Sequence, residues 1–580
     1  MNAAFKGALH NAWRARRYEL LLIGLALLAS APLLLFGFPH PTFNGFYHLR
    51  WFSNFSSQFW HGELYPRWLP EMNFGCGSPA FFYYSPLPYW LSVLFAPVAG
   101  FDLPAWRALG WGAALSIVLS GLTAFWCLER LASPKQACLG AAFYMLMPYH
   151  LAIDILERGA YAESWAFAWM PLVLGGVLEL REQLPDAWLK TTAGFACLFI
   201  THLPTSVTFT PLALGFALCV GMRVFALTLA ALGGGVGLAA VYLIPALTTQ
   251  SSVSTQYLQF PYETAFFFPT LQIVKPLSRP DAFNVRLLWN FGLVGLTSLS
   301  SYALLLAAKE PRDLFRRTAP WLGLAFCVLL LMLPVAEPLY QVLPPLQMIQ
   351  FPWRFLAPAA LLVVVLIVLF WPGPGAPIGV RLVHGAVLLA ISASIILLTW
   401  SAYSRTCLAS GVRYGVPPAL FDPMEEDVPE YRPAHANLRA ARNTLGMSKI
   451  KLSGGEATVT VAEWHPRLIR LETKAATSAR VLIRQFDYPG WSASTSRGAR
   501  LPLEADAATG LLSLDIPIGS HEITLRLLPG SAENSGWALT MATAIVCAGV
   551  FLRSRRSRRR RISKPQSEPV QRETPVGRKT

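Results

Sequence analysis

Residues 350–371 read QFPWRFLAPAALLVVVLIVLFW. Phe355 to Trp371 carries no charged side chain, and Arg354 stands immediately before the run. An apolar segment of this kind crosses a bilayer as a helix. About 20 residues rising 1.5 Å each cover a hydrocarbon core of roughly 30 Å. Similar runs lie near 108–128, 136–152, 164–180, 190–204, 206–222, 225–246, 290–308, 319–335, 382–401 and 536–552. Leu20–Phe38 adds a first, uncleaved helix, because its apolar run continues past the Ala29-Ser30-Ala31 that resembles a cleavage site. The length rule therefore predicts a polytopic α-helical membrane protein of about twelve spans.

Composition agrees with this reading. The chain has 580 residues, 54% hydrophobic and only 14% charged, and its mean hydropathy is +0.42. Soluble domains carry about 25% charged residues, so a soluble enzyme, a disordered chain and a fibrous protein are excluded. The net charge of +16 does not indicate a nucleic-acid partner. Much of it sits in Arg553–Arg561 (RSRRSRRRR), directly after the last apolar run, where a basic cluster anchors a helix end in the cytoplasm.

Charge also sets the topology. Residues 83–100 are apolar but short and interrupted by Pro86, Pro88 and Pro97, so they read as a half-helix rather than a span. With that choice each inside connection carries Lys or Arg: Arg130 and Lys135, Arg181 and Lys190, Arg223, then Lys309, Arg312, Arg316 and Arg317, then Arg381 and the Arg tail. Both termini are then cytoplasmic. The outer stretches are 39–107, 153–163, 247–289, 336–354 and 402–535. Residues 1–401 thus form a membrane domain, 402–535 an external domain, 536–552 a last span and 553–580 a basic tail. Within 448–528, segments such as Glu456–Ala462 (EATVTVA) and Ala479–Arg484 (ARVLIR) alternate or are β-branched between turn residues, which predicts an all-β sandwich.

The eight cysteines show no CxxC spacing, which argues against a metal site. Cys76 and Cys407 are the only two placed outside, and a disulfide between them stays open. No Walker A, GxGxxG, HExxH or GxSxG motif occurs.

The outer loops hold the chemistry-bearing residues. The first contains Asn44-Gly45-Phe46-Tyr47-His48-Leu49-Arg50-Trp51, then Gly62-Glu63-Leu64-Tyr65-Pro66-Arg67-Trp68, then Gly75-Cys76-Gly77-Ser78-Pro79. The second contains Asp154-Ile155-Leu156-Glu157-Arg158-Gly159-Ala160-Tyr161-Ala162-Glu163. Aromatic residues collect at any membrane interface and say little alone. Ionisable residues at helix ends say more, because an unpaired charge there is costly. Glu157, Arg158, Glu163 and Arg354 read either as ion pairs locking helices together or as a site for an anionic substrate. Arginine supplies bidentate donors for phosphate, and a carboxylate can act as a base. His202 reads as a proton relay or a ligand, or, being close to Pro204, more simply as a partner for backbone groups freed by the helix break.

In order, NGFYHLRW, GELYPRW, GCGSPAFFYYSPLPYWL, YMLMPYHLAIDILERGAYAE, QFPWRFL and Tyr488-Pro489-Gly490-Trp491 resemble a bacterial membrane-protein family. It is the YfhO-like group, which includes the 6-pyruvoyl-tetrahydropterin-synthase-related membrane proteins. The resemblance covers nearly the whole chain and implies a GT-C type glycosyltransferase. Such an enzyme takes a sugar from a polyprenyl-phosphate carrier in the membrane lipid and passes it to an envelope glycan or lipid on the outer face. It implies that His48 orients substrate and that Arg158 and Arg354 hold the carrier phosphate, with Arg67 and Trp353 as further substrate-binding residues. No cofactor is certain, and a divalent cation is left open. At the position before Gly-Phe-Tyr-His-Leu the family has Asp, whereas this chain has Asn44. An amide is no base at neutral pH and a weaker cation ligand than a carboxylate. So another carboxylate (Glu163 first, then Glu157 or Glu63) does the work, or Asn44 only orients the acceptor, or the protein is an inactive envelope-assembly protein. A transporter or flippase for a lipid-linked glycan is a further alternative, although no internal repeat supports it.

Overall fold

The computed structural model describes residues 3–39, 42, 44–99, 105–258, 266–267, 282–307, 311–405, 426–444, 446 and 448–562. Much of the expected outer stretch 247–289, the Cys407 thiol and the tail beyond 562 lie outside the described residues, as do 406–425 of the external domain.

Among the described residues, eight helices are long and apolar enough to cross a membrane: Trp106–Leu128, Pro134–Arg158, Leu203–Val220, Phe283–Leu306, Leu314–Leu331, Pro352–Leu369, Ile378–Tyr403 and Ser531–Arg555. A ninth span would be the pair Met222–Leu238 and Ala240–Thr248, bent by 76°. Other expected spans are helical too, at Ala3–Ala29, Tyr161–Arg181 and Ala187–Thr201. The last, with 15 residues, would rise only about 22 Å. Length and apolarity therefore support eight or nine spans among the described residues, and the count of about twelve stays an expectation. Residues 87–99 form three short helical pieces, Leu87–Ser92, Val93–Phe95 and Ala96–Ala99. Together they are too short to cross.

Small residues let the central helices touch. A Cβ on Gly194 would lie 2.9 Å from the Val173 nitrogen, and one on Gly175 would lie 2.2 Å from the Trp126 ring. Without a hydrophobic driving force in lipid, such close approach is what packs helices.

The two ends of the bundle differ. At one end Glu179 takes Lys190 Nζ at 2.7 Å and Arg130, and Ser554 donates to Asp186. The start of the last helix's basic stretch thus meets the 181–190 connection. At the other end lie the aromatic outer loops and the β region.

Among the described residues nine strands lie between Ile450 and Leu527: β1 (Ile450–Gly454), β2 (Ala457–His465), β3 (Leu468–Ala475), β4 (Ala479–Phe486), β5 (Trp491–Thr495), β6 (Arg500–Leu501), β7 (Glu504–Ala505), β8 (Leu511–Ile516) and β9 (Gly519–Leu527). They form two antiparallel sheets, β1-β4-β8-β7 and β2-β3-β9-β5-β6. Alternation does the sorting: Ile469 and Leu471 in β3, Val481 and Ile483 in β4, and Ile523 and Leu525 in β9 all point into one core. Trp68, Cys76 and Phe82 of the first outer loop complete that core. Trp68 Nε1 donates to Gln485 Oε1 at 2.8 Å, and the Phe486 amide donates to the Cys76 carbonyl at 2.6 Å. The β region is therefore seated directly on the first loop.

Candidate functional site

The site is built where Pro134–Leu146 passes into a π-helical stretch, Tyr149–Arg158. A π-helix is rare, and such bulges recur at functional sites. Here it ends at Gly159, whose φ is +63°. A Cβ there would lie 2.3 Å from Thr42 Oγ1 and 3.0 Å from the Gly45 nitrogen. Only glycine allows the first outer loop to sit this close. The joint is fastened by the Asn44 backbone N–H, which donates to the Arg158 backbone carbonyl at 2.9 Å.

Arg158 is the centre of a buried charge cluster. Its Nη1 donates to Asp154 Oδ1 at 2.5 Å and to Glu163 Oε2 at 2.9 Å. Tyr149 donates to Glu163 Oε1 at 2.8 Å. Asp154 and Glu163 are 0% and 1% exposed. Two carboxylates and two arginines, Arg158 and Arg354, give a formal charge of zero, which is what makes their burial tolerable.

The two arginines are held differently. Arg158 lies 4.6 Å over the Trp353 ring. Trp353 stacks on Phe351 at 4.9 Å, and Arg354 lies 5.2 Å from the Phe351 ring. The QFPWRF segment thus interleaves two aromatic rings with two guanidiniums. Arg354 Nη1 donates to the Ile349 carbonyl at 2.8 Å. Its Nε is 3.7 Å from Glu163 Oε2 and has no hydrogen-bond partner. Asp154 Oδ2 also has none. So Arg158 is spent inside the cluster, whereas Arg354 keeps a donor in hand.

An aromatic wall adjoins this cluster. Gly45–Trp60 is a helix that presents His48 and Trp51 on one face, at i and i+3. His48 Nδ1 is 2.6 Å from the Tyr89 hydroxyl, and its ring lies 5.8 Å from Tyr84 and 5.9 Å from Tyr161. Burial pushes His48 down to about 3, and the charges of His202 and Arg158 add to the shift. It is a neutral imidazole at physiological pH.

The wall is closed by a segment that the sequence did not single out. Asp427 accepts Trp51 Nε1 at 2.8 Å, the Ser78 hydroxyl, and the Val428 amide at 2.8 Å. Its own amide donates to Asn73 Oδ1 at 2.9 Å. This ties residues 426–432 across the first outer loop. Tyr431 then packs on Trp51 at 5.9 Å and on Tyr84 at 6.1 Å.

The structure thus brings together Asn44, His48, Arg158, Glu163, Trp353 and Arg354. It places three other candidates elsewhere. Glu157 pairs with Arg286. Arg67 is occupied by Glu533 at 3.0 Å and by the Val241 carbonyl at 2.8 Å. Glu63 lies near that joint, its carboxyl raised by burial, lowered by Arg467 and Arg67, and raised by Glu533. Arg467 reaches Glu533 at 3.1 Å, so this second cluster links the first loop, the β region and the last helix. His202 caps the Leu203–Val220 helix, accepting the Thr205 amide at 3.3 Å. Asp154 and Asp427 were legible only as members of DILER and of the acidic run 425–427, with no local pattern to mark them.

Among the described residues, no group of three or more His, Cys, Asp or Glu is placed to hold a metal ion. The clustered carboxylates already face arginines, so the donor set does not suit a divalent cation.

No family model matches the chain, and no curated protein matches it. Solved structures do. The arabinofuranosyltransferase AftD from Mycobacteria matches 67% of this chain and 27% of its own, at 16% identity with a TM-score of 0.43. The apo oligosaccharyltransferase of Archaeoglobus fulgidus matches 68% of this chain and 56% of its own, at 14% identity with a TM-score of 0.38. The present chain therefore spans about a quarter of the first protein and just over half of the second. At this level of similarity, the function must be read from the site's own chemistry.

Proposed function

We propose that the protein is a membrane glycosyltransferase of the GT-C type, moving a sugar from a polyprenyl-phosphate carrier to an envelope glycan or lipid acceptor. The observation that carries this reading is Arg354: a buried guanidinium at the outer end of the bundle, in a charge-neutral cluster, with Nε unspent. The Lys and Arg pattern of the connections supports a bacterial inner-membrane location with both termini in the cytoplasm and the site on the outer face.

In this reading the carrier's phosphate meets Arg354 at the membrane surface, where a lipid-borne donor arrives without leaving the bilayer. Arg158, fixed by Asp154 and Glu163, holds Trp353 in place. His48, neutral and bonded to Tyr89, orients a sugar hydroxyl against the aromatic wall. As the bond from the anomeric carbon to phosphate breaks, charge builds on the phosphate oxygens. A preorganised guanidinium stabilises that charge more than it does in water.

One observation favours a second reading. Position 44 carries an amide, Asn44, and not a carboxylate, which suits a non-catalytic assembly protein that binds a lipid-linked glycan. A deletion strain separates the two. Mass spectrometry of polyprenyl-phosphate sugars and envelope glycans should show one accumulated carrier and one missing glycan residue, restored by the wild-type gene. Unchanged pools in cells that express the protein would remove the transferase reading.

A further inference from the structure

A transferase needs a group to take the acceptor's proton, and the clustered residues do not supply one. Asn44 is an amide. Glu163 receives Arg158 on one oxygen and Tyr149 on the other. Asp154 is fully buried against Arg158. A carboxylate already neutralising a buried guanidinium cannot accept a proton without stranding that charge.

Glu430 is different. It lies in the short turn Pro429–Tyr431, three residues after Asp427 fastens that segment to Trp51 and Ser78. The next residue, Tyr431, packs on Tyr84 and Trp51 of the aromatic wall. Glu430 is only partly buried and makes no ion pair among the described residues. The charged and titratable groups facing it are Asp427, Arg432, Arg354, Tyr47 and Tyr431. It is thus a partly buried carboxylate on the turn that closes the wall, within electrostatic reach of Arg354.

We propose that Glu430 is the general base that deprotonates the acceptor hydroxyl, an inference that rests on the transferase reading. The acceptor oxygen forms a bond to the anomeric carbon. The bond from that carbon to the phosphate oxygen breaks, and its electron pair leaves with the phosphate toward Arg354. The hydroxyl proton passes to the Glu430 carboxylate. Every atom and charge is accounted for, with no further reactant. Burial raises the Glu430 carboxyl above its ordinary value. Its own backbone amide lowers it, Asp427 raises it, and Arg432 and Arg354 lower it. A raised carboxyl is a better proton acceptor.

The test uses the full-length protein in membranes of the deletion strain, with the sugar carrier that accumulates in that strain extracted and added back as donor. Wild type, Glu430→Gln and Glu430→Asp are compared for transfer from pH 4 to 8, and for binding of undecaprenyl phosphate after purification. Glu430→Gln should bind the phosphate within about twofold of wild type but transfer about 10²–10⁴-fold more slowly. Its remaining transfer should lack the fall on the acid side that wild type shows, and Glu430→Asp should recover part of the rate. A merely structural role would lower binding and membrane level while leaving that acid limb in place, and would overturn the assignment. So would transfer by Glu430→Gln within threefold of an active wild type. If wild type itself transfers nothing and the deletion changes no pool, the transferase reading falls and takes this proposal with it.

Discussion

Arg354→Ala separates a phosphate-binding arginine from one that merely locks helices. In the wild type, Asp154, Glu163, Arg158 and Arg354 sum to zero. Removing Arg354 leaves Arg158 bonded to both carboxylates at 2.5 and 2.9 Å. Arg354 itself reaches Glu163 only at long range, 3.7 Å from Nε. The fold should therefore survive, at a cost of about 1 kcal/mol from the weakened pair and the missing bond to the Ile349 carbonyl. The ligand effect is larger. A charge-assisted hydrogen bond contributes roughly 1.5–3 kcal/mol, which is about 10- to 150-fold in affinity. Binding of undecaprenyl phosphate to the purified protein, followed by tryptophan fluorescence with Trp353 as a nearby reporter, should weaken by that factor. Arg354→Lys should recover only part, because an ammonium lacks the planar fork. Affinity within threefold of wild type in a well-folded Arg354→Ala would refute the reasoning and return Arg354 to the role of a helix lock.

Arg158→Ala should behave in the opposite way: it strands two buried carboxylates, costs about 3–5 kcal/mol, and should show as lost membrane expression or a collapsed thermal midpoint. Gly159→Ala should also destabilise, since its Cβ would strike Thr42 and the Gly45 backbone at a φ of +63°; a drop in thermal midpoint with loss of undecaprenyl phosphate binding would mark the broken joint. Asp427→Asn keeps one acceptor oxygen but turns an amide toward Trp51 or Ser78. At about 1–3 kcal/mol, amide hydrogen exchange across 426–432 should quicken roughly 5- to 150-fold, and unchanged exchange would show that the tie is unimportant. His48 has its folded value depressed to about 3, so its contribution to stability is complete above about 6.5 and is lost as pH falls toward 3. Between pH 6 and 4 the wild type should lose up to about 1.4 kcal/mol per pH unit that His48→Gln does not lose.

The membrane helices were legible because hydropathy acts locally: a run such as Leu356–Leu369 is helical and apolar wherever it packs. The strands between Ile450 and Leu527 were legible for the same reason, since their alternation is written residue by residue. The span count was less secure. Ala187–Thr201 is short, and Met222–Thr248 bends by 76°, features set by packing rather than by composition. Arg158, Glu163 and Arg354 were visible as costly charges at helix ends. Their partners were not, because whether Arg67 faces Glu533 or a ligand depends on a residue 466 positions away, on the last helix. Asp427 was hidden for the same reason: Trp51, Ser78 and Asn73 become its neighbours only after the first outer loop folds back.

That long-range closure bears on Asn44. Position 44 is tied through its backbone to Arg158, which already has two carboxylates within 3 Å, so a carboxylate there would add charge near this cluster. A third negative group would unbalance a cluster whose formal charge is zero, and an amide does not. The segment 426–432 brings a carboxylate, Glu430, next to Tyr431 of the aromatic wall and within electrostatic reach of Arg354. The base and the phosphate-binding arginine can then act on different atoms of the reaction without cancelling each other. Asn44→Asp is accordingly expected to lower protein stability without raising transfer, and a gain in transfer would show that position 44, rather than Glu430, is where the proton goes.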